Sequence, residues 1–191
     1  MHIYCLNAHI ESIIMKHMLT ITKEDHIAFQ LYEASTNPLK KKARKRSYYS
    51  LIIIGVCLMI ISYLGQHTFL FYYALFCSLL SIFFGELYLR WRHKRHYVKH
   101  VKNNFKDSDT EHATFEIDRE VINIEDRTGE SKLKIQEIRK IDETGNHYFI
   151  RIGPGPVLII PKVSPELNTE MKDMISAYKI DTTSHLDWKW K

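Results

Sequence analysis

Residues Ser47–Gly85 read SYYSLIIIGVCLMIISYLGQHTFLFYYALFCSLLSIFFG, with no Asp, Glu, Lys or Arg among them. Thirty-nine uncharged residues in a row exclude a simple soluble globule for this 191-residue chain. They also exclude disorder, which needs low hydrophobicity and high charge. A helix rises about 1.5 Å per residue and a bilayer core is about 30 Å thick, so about 20 residues make one crossing. The block therefore suits two spans, Tyr48–Gly65 and Thr68–Leu89, reversed at the polar Gln66-His67. One long tilted helix is the weaker alternative, since it would strand half of the block in water. The block also starts too late and runs too long for a cleaved signal peptide. A transmembrane hairpin over residues 47–89 is the expectation.

Charge brackets the hairpin. Lys40, Lys41, Lys42, Arg44, Lys45 and Arg46 precede it, and Arg90, Arg92, Lys94, Arg95, Lys99 and Lys102 follow it. Cations are retained on the cytoplasmic side, so both termini are expected there. The flanks, Arg90, Arg92, Lys94 and Arg95 included, read as membrane-surface residues drawn to a lipid bilayer with anionic headgroups. Tyr48, Tyr49, Tyr88 and Trp91 fall at the same boundary, where amphipathic rings settle. From residue 103 onward there are 13 basic and 17 acidic residues, against 14 and 5 before it. The pI near 9.0 thus belongs to the flanks, and this placement argues against a nucleic-acid partner.

Cys5, Cys57 and Cys77 form no CxxC or Cys/His pairing, so neither a disulfide framework nor a zinc site is expected. Glu86 reads as an interfacial residue paired at i,i+4 with Arg90 rather than as an intramembrane proton carrier. Gly55, Ser62, Ser78, Ser81 and Gly85 permit close helix packing within the hairpin or between copies, hence a homo-oligomer as one expected partner. Upstream, Thr22-Lys23-Glu24-Asp25 resembles a capping box opening an amphipathic helix over about Lys23–Ser35. Asn37-Pro38 should break it. Residues 18–46 are therefore read as this helix and the basic flank. Residues 1–17 fit neither a signal peptide nor that helix, and read as an over-called start, dispensable if translation begins at Met18.

Beyond a basic juxtamembrane helix at 90–103 the periodicity changes. Thr114–Ile117, Val121–Glu125, a strand around Leu133 and Ile135, another from Ile138 to Ile141, His147–Ile152 and Val157–Ile160 alternate like half-buried strands. Gly145-Asn146 is a hairpin turn signal. Ser164-Pro165-Glu166 opens a helix with an apolar face at Leu167, Met171, Met174, Ile175 and Tyr178. The expected fold class is an α+β membrane protein: a two-helix hairpin plus a small antiparallel β domain, residues 104–181, closed by a helix. About 80 residues build one core, and a bent sheet plugged by the helix is a pleckstrin-homology-like topology. Its inward positions are read as Ile117, Ile122, Ile124, Leu133, Ile135, Val157 and Ile159. Residues 182–191 are read as a tail, whose end Asp187-Trp188-Lys189-Trp190-Lys191 reads as frayed, with docking to a partner or the membrane surface as the alternative.

These segments resemble the YcxB-like family of bacterial membrane proteins. The likeness rests on Phe29-Gln30-Leu31-Tyr32-Glu33-Ala34-Ser35, on Pro38 and the cationic run, and on Ile138-Arg139-Lys140-Ile141-Asp142-Glu143-Thr144. It continues in Tyr148-Phe149-Ile150 and Ile159-Ile160-Pro161-Lys162, and spans about residues 18–180. Ile135 stands where the family often has Trp, and Val163-Ser164 stand where Arg and an aromatic often follow Pro-Lys. The resemblance implies the architecture and a bacterial inner membrane; it implies no catalytic residues.

His93, His96 and His100 lie at i, i+3 and i+7, which would suit a metal site or a pH sensor. Lys94, Arg95 and Lys99 among them favour a solvated basic helix instead. Gly153-Pro154-Gly155-Pro156 lacks the N–H donors of a phosphate loop, because proline has none. Lys132, Lys134, Arg139 and Lys140 could imitate an inositol-phosphate socket, but Glu130, Glu137, Asp142 and Glu143 sit among them. No catalytic set and no cofactor site can be assembled. The expectation is a non-enzymatic inner-membrane protein presenting a protein- or peptide-binding domain to an unknown protein partner. The alternatives are a membrane immunity protein of a toxin pair and a metal- or pH-responsive membrane sensor.

Overall fold

The computed structural model describes residues 16–104, 110–118, 120–153 and 155–190, and separates into two compact units. Cys5, residues 1–15 and Pro154 of the Gly-Pro turn lie outside the described residues.

The first unit holds three helices: α1 (Lys23–Thr36), α2 (Pro38–Leu64) and α3 (Thr68–Asn104). Asn37-Pro38 ends α1 and at once starts α2. Asn37 Oδ1 accepts from the backbone N–H groups of Leu39 and Lys40 at 2.9 and 3.4 Å, with Pro38 in the first turn. The cationic run and the first apolar span therefore form one continuous helix. Gly65 caps α2, and Gln66 turns the chain with a left-handed φ of 55°. At 37 residues α3 is about 55 Å long.

Small residues let α2 and α3 approach. A Cβ placed on Gly55 would collide with Ser78 Oγ, and one on Gly85 would lie 3.2 Å from the Tyr48 ring. Ser62, Ala74 and Ser78 are buried, and Tyr48 donates to the Ile82 carbonyl at 3.1 Å. The large apolar side chains point the other way: Phe69 is 85% exposed, Phe83 73% and Ile53 61%. A core helix of a soluble protein buries such residues. Both helices are long and apolar enough to cross a membrane.

The second unit comprises residues 16–22 and 110–187. One sheet runs β1 (Lys16–Thr22), β2 (Thr110–Ile117), β3 (Val121–Asp126) and β4 (Gly129–Lys134), antiparallel throughout. The other has the order β7 (Val157–Pro161), β6 (His147–Ile152), β5 (Ile138–Thr144), β8 (Thr182–His185). Helix α4 (Pro165–Tyr178) lies between β7 and β8 in the chain. Its N-cap is Ser164, whose Oγ accepts from Leu167 N at 3.2 Å.

One core unites these elements. Leu19 from β1, Phe115, Ile122, Leu133, Ile141, Ile150 and Ile160 meet Leu167, Met171 and Met174 of α4.

Several expectations change here. Residues 18–22 do not belong with α1: Leu19 is 2% exposed in the sheet core, and the strand starts at Lys16, inside the stretch read as an extension. The sheet unit does not end at residue 181, since Thr182–His185 pair with β5. That pairing is parallel, so the unit is not wholly antiparallel. Ile135 leaves the strand for a short 3-10 turn, Ile135–Glu137, yet stays buried. On β7 the core takes Leu158 and Ile160 rather than Val157 and Ile159. Ile159 is buried beside Phe149 on the opposite face. With apolar residues on both faces, alternation cannot select one. Ile117 and Ile124 are half-buried, and Tyr178 is 39% exposed.

Candidate functional site

Two places concentrate polar chemistry, one in each unit. In the sheet unit it gathers along β5. Glu143 accepts from Lys162 Nζ of the β7–α4 connection and from Ser184 Oγ of β8, each at 2.7 Å. Lys162 Nζ also sits 4.5 Å from the centre of the Tyr148 ring. Next to Glu143 in the strand, Asp142 pairs with Arg151 Nε at 2.7 Å and with Lys140 Nζ at 3.5 Å.

The electrostatics follow from burial and pairing. Burial pushes the Glu143 carboxyl up, but the bonds from Lys162 and Ser184, with the charges of Lys162 and Lys172, outweigh it, and the net shift is downward. Tyr148 is pushed up to about 12 by burial and then by the Glu143 charge. Its buried hydroxyl forms no hydrogen bond of ordinary geometry. The charges at this place are thus internally satisfied.

Strand addition is the chemistry on view here. β8 lies along β5 with Ile141 opposite Thr182 and Thr144 opposite His185, and Ile141 N donates to Asp181 O at 2.9 Å. Gly145 makes room: a Cβ there would fall 2.9 Å from the Leu186 carbonyl. Serine and threonine in Thr182-Thr183-Ser184 supply both β propensity and the hydroxyl that Glu143 binds. The other sheet carries a shallow groove of about 180 Å³ lined by Lys16, Glu116, Glu125, Glu130 and Lys132. The basic-socket residues do not converge. Lys132 lies in that groove among carboxylates, Lys140 pairs with Asp142, and Lys134 and Arg139 are exposed.

In the helical unit the expected membrane-surface residues divide. Lys41, Lys42, Lys45, Arg46, Arg92 and Lys94 are exposed. Lys40 sits 6.0 Å from the Tyr97 ring centre and Arg95 5.2 Å from that of Trp91. Arg90 donates to Glu86 at 2.6 Å, the i,i+4 pair read from the sequence. Arg44 is half-buried under the Trp190 ring at 5.6 Å. Trp188 donates to Ser35 Oγ at 2.9 Å and meets the buried Tyr32 edge-on at 5.4 Å. Sequence reasoning missed these tail contacts; the alternating Trp188-Lys189-Trp190 was their only signal.

The three histidines do not form a common site. His93 is half-buried, His96 stands beside the Tyr97 ring, and His100 bonds Asn104 Nδ2 at 3.4 Å. Among the described residues no three His, Cys, Asp or Glu side chains are grouped to hold a metal ion. Burial, then the charges of Arg44, Arg92 and His96, hold His93 below its ordinary range.

The family model described as YcxB-like protein matches residues 117–164. That segment runs from the last residue of β2 through β7 to the N-cap of α4. The chain is thus similar to the YcxB-like family in this segment, which lies within the wider span of 18–180 suggested by the sequence. No curated protein and no solved structure matches the chain.

Proposed function

We propose that this is a non-enzymatic protein of a bacterial inner membrane, anchored by α2 and α3 with both chain ends cytoplasmic. The sheet unit is a pleckstrin-homology-like domain that binds a protein or peptide partner. The order β1–β4, β5–β7, α4, with the α4 apolar face set into the shared core, supports the domain reading. Outward-facing apolar side chains on two helices flanked by cations support the anchor.

The observation that carries the binding reading is the β5 edge. It accepts a four-residue extended segment through main-chain pairing, with one side-chain hydroxyl read by Glu143. This is the geometry by which sheet edges take peptides. A partner strand would take the place of β8. The internal pairing of Asp142, Glu143, Lys162 and Arg151 supports a structural and recognition role rather than catalysis.

Two measurements test the reading. A reporter active only outside the cytoplasm, fused after Lys191, should stay silent; activity overturns the topology. A photo-cross-linker at Ser184 should capture a discrete partner in native membranes that one at the exposed Arg127, between β3 and β4 of the other sheet, does not. Equal capture at both positions sinks the edge-binding assignment.

A further inference from the structure

We propose that Arg44 of α2 and His93 of α3 together bind the phosphate group of one anionic phospholipid, at the cationic end of the helix pair. The inference rests on reading α2 and α3 as membrane helices.

It starts from two polar atoms. Arg44 Nη1 and His93 Nε2 are both buried, and neither has a hydrogen-bond partner among the described residues. A buried donor left unmade carries the desolvation cost of its group, so native structures almost always satisfy it. Lys40 over the Tyr97 ring and Tyr48 against Gly85 set the register of the helix pair, and Arg44 lies between them, opposite the stretch of α3 that carries His93. Their neighbours make the need an anionic one. Arg92 and His96 also act on His93, and Lys40, Lys41 and Arg46 share the first turns of α2 with Arg44. Among the described residues, Glu86 is a carboxylate within electrostatic reach of Arg44, and Arg90 holds it at 2.6 Å. Trp190 covers the face of the Arg44 guanidinium and leaves its in-plane N–H groups to seek an acceptor.

A phosphate meets these requirements. Its several oxygens can accept from a guanidinium fork and from an imidazole at once, and charge-assisted bonds of this kind are the strong ones. Burial first, and then the charges of Arg44, Arg92 and His96, disfavour the imidazolium; an anion at this place would offset both, so binding should tighten as the imidazole takes up its proton. A lipid fits better than free phosphate. Tyr48 of α2 and Tyr88 and Trp91 of α3 fall within about one turn of Arg44 and His93 along the chain, and Leu87 and Phe83 lie 59% and 73% exposed further along α3, where acyl chains would run.

The test uses the full chain in neutral detergent, with retained lipid read by native mass spectrometry. Phosphatidic acid or phosphatidylglycerol should remain as a single adduct, and phosphatidylcholine should not. Arg44→Gln should weaken retention about tenfold or more, and His93→Gln should weaken it less. Arg44→Lys, which keeps the charge but loses the fork, should fall between. Lys41→Gln and Arg46→Gln, at exposed positions of the same helix, should change retention less than about threefold. An equal loss at Arg46→Gln and Arg44→Gln would mean diffuse surface attraction and overturn the site. Displacement of the lipid by inorganic phosphate at comparable concentration would overturn the lipid assignment. Co-flotation with phosphatidylcholine vesicles should be the same for Arg44→Gln and the parent, so a failure of membrane insertion is read separately from a failure of the site.

Discussion

At Glu143 burial and pairing oppose each other, and pairing wins. The carboxyl is held below its ordinary 4.5 by Lys162 and Ser184 despite its burial. A group with a depressed folded value binds more protons unfolded than folded. Its contribution is therefore complete above the unfolded value and disappears as pH falls through the folded one. Urea unfolding of the full chain, followed at the sheet unit, should show stability falling once pH drops below about 4.5. Glu143→Gln should flatten that part of the profile; an unchanged slope would assign the acid sensitivity elsewhere. Tyr148 makes a contrasting case beside it. Tyr148 is 1% exposed, and its buried hydroxyl lies within the influence of Glu143 without a hydrogen bond of ordinary geometry. Tyr148→Phe should change stability by less than about 0.5 kcal/mol or raise it, because no bond is lost and a polar atom leaves the core. A loss above about 1 kcal/mol in denaturant midpoints would show that the hydroxyl is bonded to Glu143 after all. Neither behaviour is legible in sequence, since Glu143 finds Lys162 and Ser184 only after three segments have met.

Among the elements, α4 behaves as its periodicity predicts. Ser164 and Pro165 set its start, and Leu167, Met171 and Met174 form the face that closes the core. Met171→Asp would place an unpaired carboxylate in a fully buried position and should cost ~3 kcal/mol or more. Lys172→Asp, one residue on and exposed, should cost less than about 1 kcal/mol. Equal melting of the two variants would remove α4 from its closing role. The α2–α3 pair depends on absent side chains instead. Gly55→Val should wedge the helices apart at Ser78, at a cost of about 1–3 kcal/mol. Cross-linking between cysteines placed on α2 and α3 should fall accordingly, and undiminished cross-linking would show that the helices accommodate the branch. The small residues were readable in sequence, but their pairing of Gly55 with Ser78 and Gly85 with Tyr48 needed the register of the two helices.

For the whole molecule, the order of the chain conceals the composition of the sheet unit. β1 precedes the helical unit in sequence and β2 follows it, yet Leu19 pairs with Ala113 and sits in the core. Leu19→Ala should therefore destabilise the sheet unit by about 2–5 kcal/mol, although the substitution lies far from it along the chain. A protease-protection assay on residues 110–187 of the full-length chain should report it. Unchanged protection would mean that β1 is an adherent edge rather than a member of the core. Removal of residues 1–17 likewise takes Lys16 and His17 from the strand, and His17 Nε2 bonds Glu170 Oε2 of α4 at 2.6 Å.

Local chemistry was enough to define much of this protein. An uncharged run of spanning length sets two apolar helices, Gln66-His67 their reversal, Asn37-Pro38 the end of α1, Ser164-Pro165 the start of α4, and Gly145-Asn146 the β5–β6 hairpin. Each depends on residues a few positions apart, so periodicity and turn preference decide it. Tertiary structure alone decided which strands are neighbours: β1 on β2, and β8 lying parallel on β5. It also decided which face of β7 turns inward. A strand satisfies only half of its main-chain hydrogen bonds on each side, and short strands with apolar or hydroxyl residues on both faces accept several partners. The choice among them is made by the shared core, where Leu19, Ile160 and Met171 are buried together, and no single segment contains that information.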